Sequence, residues 1–175
     1  WWLIFTMLAL MGLQYNLIDA DSQAGAGGLR YAASKGLGVA VMEPLRGGDL
    51  VRGMPEAVRM GWAGQPEFTP AQHCLRWIWD QPEVSVVLSG MGTRDQLAEN
   101  VAAASATPPG SLSPAGRDLC TRMQSAYLGL RKTGCTRCGY CLPCPSGVFI
   151  PRVLDLMDER SMFPESPIPA MSYGM

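Results

Sequence analysis

Four cysteines fall within ten residues, Cys135, Cys138, Cys141 and Cys144, in the string CTRCGYCLPCP. Two residues separate each from the next, and Pro145 follows the last. Deprotonated thiols are soft ligands, and four of them on one short loop suit a metal centre. Zinc accepts four thiolates, but its structural sites usually pair two knuckles well separated in sequence. A compact run closed by Cys-Pro is the iron–sulfur pattern C-x2-C-x2-C-x3-C-P, here with a last gap of two residues. The spacing predicts a [4Fe–4S] cluster on these four cysteines, with zinc or a redox-active thiol set as alternatives. A cysteine before proline can also ligate a second cluster, which leaves two roles open for Cys144; no cysteine follows in residues 145–175. Gly139 permits a tight turn, and Pro143 and Pro145 stiffen the loop. Cys74 and Cys120 lie on or beside apolar helical stripes and read as buried core thiols. Adjacent C-x-x-C pairs do not build a disulfide scaffold, so the expected compartment is the cytoplasm.

The rest of the chain must position that loop. Of 175 residues 47% are hydrophobic and 17% charged, and 14 Lys+Arg against 15 Asp+Glu leave a net charge of -1. This excludes a disordered chain and a binder of nucleic acid through a broad basic surface. The length suits one domain with a small appendix. Residues 1–13 are apolar but fall short of the ~20 needed to span a bilayer. No Lys or Arg precedes Arg30, so the charged start of a secretory signal is missing. The stretch reads as a buried strand and its surroundings, and its start at Trp1 as a cut through a core.

Residues 13–18, 37–42 and 84–88 read as buried strands. Leu29, Ala32 and Ala33 share a helical face that Gly36 closes. Residues 49–68 have no clear period and read as an excursion. Thr69, Pro70 and Gln72 form a strong helix start, followed by Ala71, Cys74, Leu75, Ile78 and Trp79 in one stripe. Thr93 and Gln96 form a second capping box, opening a helix with Leu97 and Val101 inward. His73, the only histidine, reads as a surface residue. Residues 106–113 read as a linker, and Ser113-Pro114 starts a long helix with Leu119, Met123, Ala126, Tyr127 and Leu130 on one side. Buried strands alternating with helices imply parallel βα units, an α/β fold.

Four strings carry a resemblance: GLGVAVMEPLRGG at 36–48, LRWIWDQPEVSVVLSGM at 75–91, LAEN at 97–100 and CTRCGYCLPCPSGVFIP at 135–151. Together they resemble the C-terminal half of aldo/keto reductases that carry a ferredoxin-like 4Fe–4S extension. The resemblance covers about residues 13–155. It implies a partial (β/α)8 TIM barrel, its last three βα units, followed by a small helical cluster-binding tail. The expected division is 1–107 barrel, 108–134 linker and helix, and 135–175 iron–sulfur segment.

In such barrels the active site lies at the C-terminal strand ends. The resemblance assigns Pro44, Leu45, Gly47, Gly90, Met91, Gln96, Glu99 and Asn100 to NAD(P)H, the last loop and helix holding the adenosine end. The family's Lys and Arg for a 2′-phosphate are replaced by Gly90 and Gln96; Arg94 is the nearest substitute. Where the family stacks an aromatic residue on the nicotinamide stands Met42, and its carboxamide-binding Gln falls at Gly12. No segment matches the family's catalytic Tyr, Lys, Asp and His. The implied function is an NAD(P)H-dependent oxidoreductase acting on a small carbonyl or alcohol. This chain would supply part of the dinucleotide site and the cluster, with no catalytic residue of its own, and would be inactive alone. A redox partner is implied; nucleic acid and membrane are not. The alternative is a stand-alone iron–sulfur electron-transfer or binding module, or a structural zinc site.

Overall fold

The structure is a computed structural model that describes residues 10–63 and 67–173. Most of the N-terminal apolar stretch, residues 1–9, lies outside the described residues. In chain order the elements are β1 (Leu10–Gln14), α1 (Gly25–Ser34), β2 (Gly38–Met42), a 3-10 turn (Arg46–Gly48), α2 (Glu56–Trp62), α3 (Pro70–Trp79), β3 (Val86–Val87), α4 (Arg94–Ser105), α5 (Pro114–Leu128), α6 (Ile150–Met162) and α7 (Ile168–Tyr173). The three strands are parallel and lie side by side in chain order, with Leu10 opposite Gly38 and Ala40 opposite Val86. The fold is thus mixed α/β, as the alternation of strands and helices predicts. No helix among the described residues is long and apolar enough to cross a membrane.

One face of the sheet is covered. Leu13, Val39 and Val41 pack with Leu29 and Ala32 of α1 and Ile78 of α3. Helix α1 ends where Gly36 and Leu37 donate back to Ala33 and Ala32, the paired bonds that satisfy the last carbonyls. A second core joins Leu50, Val58, Trp62, Cys74, Leu119, Cys120, Met123 and Tyr127 to Met162 and Phe163, tying α5 and α6 to the βα layer. Trp77 borders both cores and stacks on Tyr15, with ring centroids 5.2 Å apart. Cys74 and Cys120 are buried, as expected, and burial raises both thiol pKa values, Cys120 to about 11.

The capping boxes at Thr69–Gln72 and Thr93–Gln96 form as predicted, and Ser113 caps α5 through the Gly116 amide. Other expectations need correction. The first strand is Leu10–Gln14, not 13–18. Asn16 stops it: its side-chain oxygen accepts the Ile18 and Asp19 amides, both at 3.0 Å, and turns the chain. Leu17 and Ile18 are apolar because they enter the second core. The third strand is shorter than 84–88 and is not buried, with Val86 and Leu88 exposed. Within 49–68 the structure forms α2, anchored by Val58 and Trp62. Leu97 and Val101 face solvent, and α4 buries only Ala103. His73 is 6% exposed and belongs to the interior. Its ring stacks on Trp62 at 5.1 Å and meets the edge of Phe68 at 5.5 Å.

The stretch read as a linker is held along its length. Buried Asp80 accepts the Leu112 amide at 2.8 Å and Arg117 Nε at 2.9 Å, and its carbonyl accepts the Gly110 amide at 3.0 Å. A buried carboxylate demands such partners.

Candidate functional site

Parallel strands present their C-terminal ends on one side, and the loops that leave β2 and β3 there enclose a cleft of about 600 Å³. Pro44, Leu45, Gly47 and Gly48 come from the first loop, and Ser89, Gly90 and Met91 from the second. Gln96, Glu99 and Asn100 come from α4, and Thr69 and Pro70 from the start of α3. All eight residues that the family resemblance assigns to a dinucleotide therefore line one cleft, although they lie in separate segments of the chain.

The first loop is strained. Glu43 and Arg46 have φ of 53° and 52°, and Gly47 and Gly48 follow with 62° and 95°. Left-handed residues other than glycine cost about 1 kcal/mol each, and such strain concentrates at ligand clamps. The fold holds it by a specific network. Asn16, fully buried, donates to the Glu43 carbonyl at 3.0 Å and to Asp19 at 3.0 Å. Arg46 pairs with Asp19 at 2.6 Å and with Glu159 of α6 at 3.2 Å. Asn16 and Arg46 thus join the ends of β1 and β2, and Arg46 adds α6.

On the α4 side the polar groups are mostly committed. Gln96 Oε1 accepts the Gly92 and Thr93 amides at 2.8 and 3.3 Å. Asn100 donates to Ser89 Oγ at 3.1 Å, and Glu99 accepts the Thr69 hydroxyl. Arg94, the substitute cation expected from sequence, does not line the cleft; Arg52 does. Met42 ends β2 on the exposed sheet face beside Gly12, where an added Cβ would lie 3.3 Å from the Met42 methyl.

The cysteine loop is tethered by two carboxylates one turn apart on α6. Asp158 accepts the Lys132 amide, the Thr133 amide and the Thr133 hydroxyl, each at 2.8 Å. Arg137 Nε reaches both oxygens of Asp155, at 3.0 and 3.1 Å. Gly139 sits at φ 79°, a left-handed turn residue as the sequence suggests. All four loop cysteines are free thiols, Cys138 and Cys141 exposed, Cys135 and Cys144 half-buried. The Tyr140 amide and then the Thr136 hydroxyl hydrogen-bond the Cys138 sulfur and lower its pKa. An exposed thiol with a stabilised thiolate, as at Cys138, suits ligation of a soft metal. Among the described residues no three Cys, His, Asp or Glu side chains are gathered around a common point. Cys135 and Arg137 line a second, polar cleft of about 490 Å³ with Gln14, Asp19 and Arg46, so the loop borders the C-terminal end of β1.

Sequence reasoning did not find Asn16, Asp155, Asp158 or Arg52. The string QYNLID at 14–19 does carry a signal for the first, since Asn within an apolar run forms turns through its own backbone. Compared with known proteins, the chain matches no family model. No curated protein matches it significantly.

Proposed function

We propose that this chain forms the dinucleotide side of an NAD(P)H-dependent oxidoreductase of the aldo/keto reductase type, and carries a [4Fe–4S] cluster on Cys135, Cys138, Cys141 and Cys144. The observation that carries the reading is the convergence of Pro44, Leu45, Gly47, Gly90, Met91, Gln96, Glu99 and Asn100 on one cleft. Its place at the C-terminal ends of parallel strands is where α/β folds bind cofactors. The sheet order β1-β2-β3 and the exposed apolar face fit three consecutive βα units of a barrel. Clustered C-x-x-C thiols suit a reducing compartment, the cytoplasm.

Bound in the cleft, NAD(P)H would supply a hydride to a small carbonyl, or NAD(P)+ would accept one from an alcohol, while the cluster would carry single electrons. The chain's own residues bind and orient. Gly47 and Gly48 let the loop backbone approach a ligand closely. Asn100 is oriented by Ser89, and Gln96 is fixed by the cap of α4. Met42 offers an apolar surface at the strand end. No described residue is proposed to protonate the carbonyl oxygen.

The test is anaerobic purification of the full chain with iron, sulfide and zinc analysis. About four iron and four sulfide per chain are expected, and Cys138→Ser should abolish them. Stoichiometric zinc with no sulfide would replace the cluster by a structural site.

A further inference from the structure

The charge of the dinucleotide cleft discriminates between its possible ligands. Its lining includes two carboxylates, Glu43 and Glu99, and one cation, Arg52. Arg52 lies against the strained loop. A Cβ on Gly48 would come within 2.7 Å of Arg52 Nε, so the guanidinium lies directly against the loop backbone. The guanidinium donates to the Gly47 carbonyl, and its other N–H groups have no partner among the described residues. Arginine in this state is a ready anion anchor.

The α4 side of the cleft is different. Glu99 accepts the Thr69 hydroxyl through Oε1, and its Oε2 has no partner among the described residues. No cation lines this side, because Arg94 lies outside the cleft. The N-terminus of α4 offers little to an anion: its capping box already binds the Gln96 and Thr93 amides, and Asp95 sits in its first turn. A carboxylate facing a ribose accepts its hydroxyls, whereas a ribose 2′-phosphate needs a cation there.

We propose that this cleft takes a dinucleotide without a 2′-phosphate, NAD(H), with its diphosphate on Arg52 and its adenosine ribose on Glu99, and rejects NADP(H). The inference rests on the reading of the cleft as a dinucleotide site and adds the choice between the two cofactors. The rejection is electrostatic. A 2′-phosphate beside Glu99 would place like charges together with no compensating cation.

The experiment titrates the full chain separately with NADH and NADPH, following nucleotide fluorescence. NADH is expected to bind at least about tenfold more tightly, a difference of about 1.4 kcal/mol. Met91→Lys adds a cation to the wall and should bring NADPH to within about threefold of NADH. Arg52→Gln should weaken NADH by about tenfold, the loss of one charge-assisted anchor. Neither Met91 nor Arg52 is buried, and circular dichroism confirms that the variants fold. NADPH binding as tightly as NADH to the unmodified chain would overturn the inference and leave the dinucleotide reading standing. So would an Arg52→Gln variant of unchanged affinity. Binding of neither nucleotide at millimolar concentration would overturn the dinucleotide reading itself, and the inference with it.

Discussion

His73 shows how a single residue departs from its local pattern. The sequence puts it beside an apolar stripe, and a stripe read alone leaves it on the polar side. Helix α3 instead contributes Cys74 to one core and Ile78 to the other, so its buried face is wider than one stripe. The ring lies between Trp62 and Phe68, and neither nitrogen has a hydrogen-bond partner among the described residues. Burial, and then the charge of Arg76, lower its pKa. The sign follows from linkage. The unfolded chain takes up a proton near pH 6.5 and the folded chain at lower pH, so stability is fully present above about pH 6.5 and is lost as pH falls through the folded pKa. Carboxylates titrate lower, and this is the only histidine, so the window between about pH 7.5 and 5.5 reports on it. The urea midpoint should fall across that window. His73→Phe should flatten the dependence and raise stability at pH 7 by about 1 kcal/mol, because a buried unsatisfied nitrogen is removed while the stack is kept. An equal slope in the variant would contradict this.

At the scale of elements, the legible features are those written within a few residues. The capping boxes of α3 and α4 and the Ser113 cap depend on side chains that reach three residues along the chain, so they could be read directly. The boundaries of β1 and β3, the existence of α2 and the outward face of α4 depend on contacts far along the chain. Nothing near Leu97 reveals that α4 docks through small residues such as Ala103. The candidate cleft was legible only as a set of positions. Its cation, Arg52, was not, because its place there depends on the bend at Gly47 and Gly48. The anchoring of the cysteine loop was equally hidden, since Asp158 lies more than twenty residues from Thr133.

That anchor makes a prediction. Asp158 is buried and satisfies two amides and a hydroxyl at the entry to the cysteine loop. Asp158→Ala would strand those donors, and charged acceptors of this kind contribute more than neutral ones. We expect a loss of about 2 kcal/mol in stability, with faster amide exchange at Lys132 and Thr133. Asp158→Asn keeps one acceptor oxygen and should retain part of the protection. Unchanged exchange at these amides in Asp158→Ala would show that the tether does not hold the loop.

On the scale of the whole molecule, the two faces of the sheet are unlike. Leu13, Val39 and Val41 are sealed under α1 and α3. On the opposite face Leu10, Met42, Val86 and Leu88 stand between 43% and 63% exposed, grouped by the parallel register. Exposed apolar side chains on one sheet face are a liability in water and commonly become an interface. The outer strands β1 and β3 also offer unpaired backbone edges among the described residues. A net charge of -1 provides little long-range repulsion to keep molecules apart. We therefore expect the chain to self-associate with rising concentration, and sedimentation velocity between about 5 and 100 μM should show it, since weak apolar contacts fall in the micromolar range. Leu88→Gln should shift the equilibrium toward monomer without loss of helix content, because this side chain contributes nothing to either buried core. A single monomeric species across the whole range, with a cooperative unfolding transition, would show that the bare face is tolerated. It would also remove the physical argument for reading that face as the inward side of a closed sheet.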